Sequence, residues 1–453
     1  MKKTNLTLLL VGLLAVLSVT ASCNTDDEQG ITASGDCIIT SATLGVLKRV
    51  MHTKDKAGND SVYEANVTGS YYPLHIDQLG CRIFNTDSLP VGTDLRRTVF
   101  TALNSQGNVG IRSLVTNTDT IFSKTDSTDC SVDRLLTVYA TDGVSRRTYT
   151  LSLCAHREEA DSFVWKQMCT NDAQLARLAP GHRTFVTDGR IRVFGNMDGN
   201  AVVVSAPVEN PTQWTTTALT DGPDVGTVHR FEDRFIALAG GRIVTSDDGE
   251  TWTGNGSSFS PDGIAGAATN RIYAVKDGKF YASSDGVTWT AEEADDAEQV
   301  PASGAVGITL ASATDNTFEN ILVVGRNAAG APVVWCKDID LSGGIAFAWN
   351  YLPPVTDEAF HCPALTAPSL IAYDRAALLT GNTADGKAAA LYLSRDNGRT
   401  WSTADFSNPL KGSTAGISMA VDAEQFIWII GGGQVWRGRL NRLGWENNSG
   451  AFE

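Results

Sequence analysis

The sequence predicts an all-β protein in which a short-stranded sandwich is followed by a propeller. Three observations carry that expectation. A turn motif occurs three times: in full as Ser394-Arg395-Asp396-Asn397-Gly398-Arg399-Thr400-Trp401, and one residue shorter as Ser246-Asp247-Asp248-Gly249-Glu250-Thr251-Trp252 and Ser283-Ser284-Asp285-Gly286-Val287-Thr288-Trp289. From about residue 162 onward, apolar strand-length runs recur in units of roughly forty to sixty residues, the range of propeller blades. Between residues 37 and 157, short segments alternate at period two around turn residues.

The three turns share one physical grammar. An apolar strand enters (Leu391-Tyr392-Leu393, Arg242-Ile243-Val244, Lys279-Phe280-Tyr281), and the chain reverses over Asp and Gly. It leaves as a short strand opening on Thr-Trp. Asp hydrogen-bonds amides of its own turn and Gly accepts positive φ, so the reversal costs little strain. Trp then places a large apolar surface where it can wedge into a core. The stretches resemble the Asp-box, S-x-D-x-G-x-T-W, with Ser246, Asp248, Gly249 and Trp252, Ser283, Asp285, Gly286 and Trp289, and Ser394, Asp396, Gly398 and Trp401 in its positions. In proteins that carry it the box is a structural turn on the blade rim, so the resemblance implies a fold and no catalysis.

Composition narrows the partners. A formal net charge of −15 and the lack of a Lys/Arg run disfavour nucleic acid and anionic lipid surfaces. At the N-terminus, Met1-Lys2-Lys3 precedes an apolar run over residues 6–19, too short for a comfortable membrane span and shaped like a secretory signal. Thr20-Ala21-Ser22-Cys23 resembles a bacterial lipobox, with Thr20 departing from the usual Leu, so Cys23 is expected to carry a lipid anchor after residues 1–22 are removed. The acidic Asn24-Thr25-Asp26-Asp27-Glu28 resembles the export signal of surface lipoproteins in Bacteroidetes-type bacteria; its plainer reading is part of a flexible tether over residues 23–36. The expected address is the outer membrane facing outward, with a periplasm-facing anchor as the alternative.

Residues 37–157 are expected to form an immunoglobulin-like β-sandwich serving as a spacer or interaction module. Its clearest hairpin is Leu135-Leu136-Thr137-Val138-Tyr139-Ala140, a turn at Thr141-Asp142-Gly143, then Arg147-Thr148-Tyr149-Thr150-Leu151-Ser152-Leu153. Apart from Cys23, the cysteines have no zinc-ribbon or CxxC spacing, and their odd number prevents all of them pairing within the chain.

After the polar Glu158-Glu159-Ala160-Asp161, residues 162–453 divide into six units, each read as strands ending at Trp214, Trp252, Trp289, Trp349, Trp401 or Trp445. Six blades are the first expectation and seven the alternative. Phe163-Val164-Trp165-Lys166 is placed to add a strand to the last blade and close the ring. The whole arrangement, with the ending Val435-Trp436-Arg437-Gly438-Arg439-Leu440-Asn441, resembles the Bacteroidetes DUF6242-type lipoproteins, a family whose name assigns no activity.

Sialidases also place Asp-boxes on propellers, so hydrolysis is the competing class. Their chemistry uses an Arg cluster, a Tyr–Glu nucleophile pair and an acidic donor. The F/Y-R-I-P stretch that marks the first Arg is absent; Arg190 and Arg192 lack that context. No G-x-S-x-G, H-E-x-x-H or phosphate loop occurs, and no two of the six His residues have metal-ligand spacing. No catalytic residue, metal or cofactor is therefore assigned. The favoured reading is a non-catalytic module binding glycan or peptide through loops that join each blade to the next. The candidate residues are Asp221, Asp224, Asp357, Glu358, Phe360 and His361, where carboxylates and an aromatic ring suit sugar hydroxyls and faces. A sialidase-like hydrolase and a structural scaffold are the alternatives; oligomeric state is left open.

Overall fold

The computed structural model describes residues 33–54, 59–312 and 315–446. Cys23 and the rest of the leader lie outside the described residues. The chain divides into two compact units between Glu159 and Ala160.

In the first unit the anticipated hairpin is present: Arg134–Tyr139 pairs antiparallel with Arg146–Ser152, with Thr137 opposite Thr148. It sits at the centre of a six-stranded sheet ordered Leu74–Asp77, Arg82–Asn85, Arg146–Ser152, Arg134–Tyr139, Asn108–Arg112, Asp119–Ile121. The pairing of Arg82–Asn85 with Arg146–Ser152 is parallel. Two further two-stranded sheets join Ile39–Leu44 to Phe100–Ser105 and Val46–Lys54 to Asp60–Thr68. Ile39, Leu47, Ile83, Leu136, Val138, Tyr149 and Leu151 form the core.

The described residues of the second unit form six four-stranded antiparallel sheets. Their first strands are Arg183–Thr187, Asp224–Phe231, Gly263–Ala267, Ser303–Ala311, Ser369–Tyr373 and Ile417–Val421. These touch one another in sequence, and the last returns to the first, so they form a closed circuit around an axis. Sheets one to five take all four strands from consecutive chain. The sixth is completed by Phe163–Cys169, which pairs with Gln434–Leu440. This is the closure anticipated for residues 163–166, and Phe163 locks it by stacking on Phe406 with centroids 4.1 Å apart. The expectation of a final strand ending at Trp445 is corrected: after Gln434–Leu440 the backbone forms the short helix Asn441–Glu446. With the outer edge already occupied by Phe163–Cys169, no pairing position remains there for a strand.

Across all three motif turns the serine hydroxyl donates to the aspartate, at 2.9 Å in each, and accepts the glycine amide at 2.8–2.9 Å. The aspartate also accepts the amide of the Thr before the Trp, at 2.8–2.9 Å. Gly398 has φ +89°, and a Cβ there would lie 2.5 Å from Leu322 of the preceding sheet. Backbone sign and interblade packing thus both demand glycine. Trp252 and Trp401 are fully buried, whereas Trp289 is half-buried against Phe259. No described helix is long and apolar enough to cross a membrane, and the seven described cysteines are free thiols.

Candidate functional site

The circuit of first strands encloses a channel, and a recess lies where the strands of sheets two, three and four begin. All three strands are irregular there. Register shifts occur between Asp224 and His229, between Ile264 and Gly266, and between Ser303 and Val306, while sheets one, five and six pair regularly at this position. Bulges bend a strand and re-aim its side chains. Here they open a mouth of about 370 Å³ lined by Arg183, Asp224, Thr227, Asp262, Ser303 and Thr366 among others. A second cavity of about 350 Å³ continues along the channel, with Arg183, His229, Arg230, Ser369 and Met419 in its wall.

The polar groups are held by hydrogen bonds to nearby backbone. Asp224 accepts the Gly226 amide at 3.1 Å, and its carbonyl accepts the Thr227 hydroxyl at 2.7 Å. Thr227 in turn accepts the Leu238 amide at 2.9 Å, replacing a ladder bond that the bulge removed. Asp262 accepts the Asp277 amide at 2.8 Å. Arg183 reaches across the channel from sheet one to sheet four, donating from Nη2 to the Ala305 carbonyl at 3.4 Å. Burial pulls its guanidinium down to about 10, with Asp224 acting in the opposite sense, so it stays cationic at neutral pH.

His229 is 4% exposed, and its Nδ1 donates to the Thr227 carbonyl at 2.9 Å, which leaves Nε2 without a partner. Desolvation, reinforced by the Arg183 charge, pushes it down to about 3. His182 is also lowered by burial, and both ring nitrogens face carbonyls, of Ala179 and Ile430, at 3.3 Å. Both imidazoles are therefore neutral. Arg230, farther along the channel, lies 3.8 Å from Asp188 and 3.9 Å from Asp233, with its guanidinium over the Phe235 ring.

Of the six residues singled out from the sequence, Asp224 lines the mouth. Asp221, with φ +56°, turns the preceding loop and does not line it. Asp357 caps the 3₁₀ turn Glu358–Phe360 by accepting the Ala359 amide. His361 Nε2 meets the Val355 carbonyl at 2.7 Å, and Phe360, 43% exposed, gives its carbonyl to the Trp401 amide. That loop braces the neighbouring motif turn; Asp357, Glu358, Phe360 and His361 are not brought to the mouth. Sequence reasoning missed Arg183, His229 and Asp262. Arg183 and His229 sit inside ordinary-looking strand patterns, and no motif marks a bulge. Among the described residues no group of three or more His, Cys, Asp or Glu could hold a metal ion.

Several solved structures resemble part of the chain at low similarity. The SapL1 lectin in complex with alpha methyl fucoside is 14% identical, with 56% of this chain and 90% of that one covered at a TM-score of 0.38. A streptogramin B lyase is 10% identical, with 63% and 100% covered at 0.37. The GH74 xyloglucanase from Xanthomonas campestris is 14% identical, with 62% and 54% covered at 0.33. No curated protein matches the sequence. The DUF6242 beta propeller domain matches residues 159–448, and the DUF6242 N-terminal domain, a domain of unknown function, matches residues 42–153. With most of its length covered by these two matches, the chain belongs to the DUF6242 family.

Proposed function

We propose that the protein is a non-catalytic capture module of the bacterial cell surface, held by a lipid on Cys23, whose propeller takes a glycan at the channel mouth. The observation that carries the reading is the bulged, polar recess of about 370 Å³, within the size range of small-ligand sites. Sugars present many hydroxyls, and the mouth offers matching acceptors and donors: the carboxylates of Asp224 and Asp262 and the hydroxyls of Thr227, Ser303 and Thr366. The turns that fix these residues belong to the closed strand circuit, so the recess is preformed and little ordering cost falls on binding.

Neither cavity along the channel has a Tyr or a Glu in its lining, so a Tyr–Glu nucleophile pair is not supplied there. The surface address rests on the leader: the basic start, the apolar run, Thr20-Ala21-Ser22-Cys23 and the acidic residues after it. A glycan array probed with the exported chain, beginning after Cys23, tests the capture reading. Binding to a restricted set of glycans, lost on Asp224→Asn with Asp262→Asn, is expected. Binding to no glycan, or binding unaffected by that pair, contradicts it.

A further inference from the structure

Arg183 is the least satisfied cation of the channel. Its guanidinium has five N–H donors, and one hydrogen bond is recorded for it among the described residues, the 3.4 Å contact to the Ala305 carbonyl. No described carboxylate lies within ion-pair distance of it. Asp224 influences it from farther away. Arg230, by contrast, faces Asp188 and Asp233 and covers Phe235. The other titratable groups around the upper channel are the neutral His182 and His229 and the rim carboxylates Asp224 and Asp262. Arg183 is part-exposed in the wall of both cavities, so its remaining N–H donors face the channel, where an entering anion can take them in a bidentate pair.

We propose that Arg183 is the anchor for a carboxylate, and that the mouth takes a carboxylate-bearing sugar, a hexuronic acid residue, with its hydroxyls on the rim. This rests on the glycan-capture reading above and adds the substrate class. Guanidinium and carboxylate match as a planar fork, which gives orientation as well as affinity. The rim decides between a sugar and an acidic peptide. An acidic peptide would press further carboxylates against Asp224 and Asp262. A hexuronate brings one carboxylate for one guanidinium, and around it hydroxyls that donate to those same two acids.

The experiment compares oligosaccharides that carry a single terminal hexuronate on otherwise neutral sugars with their carboxyl-reduced counterparts, by calorimetry on the exported chain. The acidic forms are expected to bind at least about tenfold tighter, as suits a charged hydrogen-bonded pair, and to weaken as salt rises. Arg183→Gln is expected to erase that difference while leaving the affinity for the reduced forms in place, and Arg183→Lys to restore part of it. Asp224→Asn, which keeps the site's shape, is expected to weaken both forms through the lost hydroxyl acceptor but the acidic forms less, so the ratio between them widens. These last two comparisons, with the wild-type salt series, hold even if Arg183→Gln folds poorly. Equal affinity for acidic and reduced forms overturns this inference and leaves glycan capture standing. Failure of both forms, together with every other glycan on the array, overturns both.

Discussion

Trp401 and Trp289 occupy the same place in two copies of one turn, yet their removal should differ in cost. Trp401 is 1% exposed and packed among Leu322, Val334 and Leu379, and its Nε1 donates to the Gly398 carbonyl at 3.0 Å. Trp401→Ala is expected to destabilise the propeller by about 3–5 kcal/mol, and Trp252→Ala by a similar amount. Trp289, half-buried on Phe259, should cost clearly less. Asp248→Ala and Asp396→Ala each strip several hydrogen bonds from a turn, for roughly 1–2 kcal/mol. Denaturant midpoints of the five variants check the order. At the same scale, His229 makes folding sensitive to acid. Its folded value, about 3, lies below the ordinary 6.5, so the unfolded chain takes up a proton that the folded one refuses. Stability is therefore full above pH 6.5 and falls as pH drops towards 3, by roughly 1 kcal/mol per pH unit from this group. His182, lowered by the same cause, acts in the same direction. His229→Asn is expected to flatten part of the loss between about pH 6.5 and 5, where ordinary carboxylates contribute little. An unchanged slope would mean that His229 is solvated.

At the scale of elements, what was legible in the sequence is what repeats. The three turns were visible because their chemistry is local: Ser, Asp and Gly hydrogen-bond within a few residues, and Trp follows at a fixed distance. The closing strand was visible because Phe163-Val164-Trp165-Lys166 stands before the first complete unit and has no partner of its own there. Deleting residues 162–169 is expected to lower the melting temperature by several degrees and to cause association through the bared edge of Gln434–Leu440. Light scattering and calorimetry read both effects. The mouth was not legible. It is made by bulges in Asp224–Phe231, Gly263–Ala267 and Ser303–Ala311, and a bulge leaves an apolar pattern nearly intact while turning side chains by one position. Phe360 and His361 stand out in the sequence because an aromatic ring and a His share a long loop with two acids. The structure uses that loop to brace Trp401. Altering Phe360 and His361 together is accordingly expected to leave ligand binding at the mouth unchanged.

At the scale of the whole molecule, a closed circuit of six sheets holds a polar recess on one axis, and the leader is proposed to hold the chain at a membrane. Cys23→Ala is expected to release the protein from the membrane fraction and to abolish globomycin-sensitive processing; unchanged retention would remove the anchor from the account. No turnover of chromogenic sialosides is expected, because neither channel lining has the Tyr–Glu pair of a sialidase among the described residues. The mouth is proposed to capture a glycan without cleaving it. The most direct measurement incubates the exported chain with each glycan that it binds on an array, and follows binding and product formation together, for the parent and for Asp224→Asn with Asp262→Asn. Binding by the parent with no product, and loss of binding in the variant at an unchanged melting temperature, is the predicted result. Product formation that a single carboxylate substitution abolishes would contradict the account and place the protein among the hydrolases.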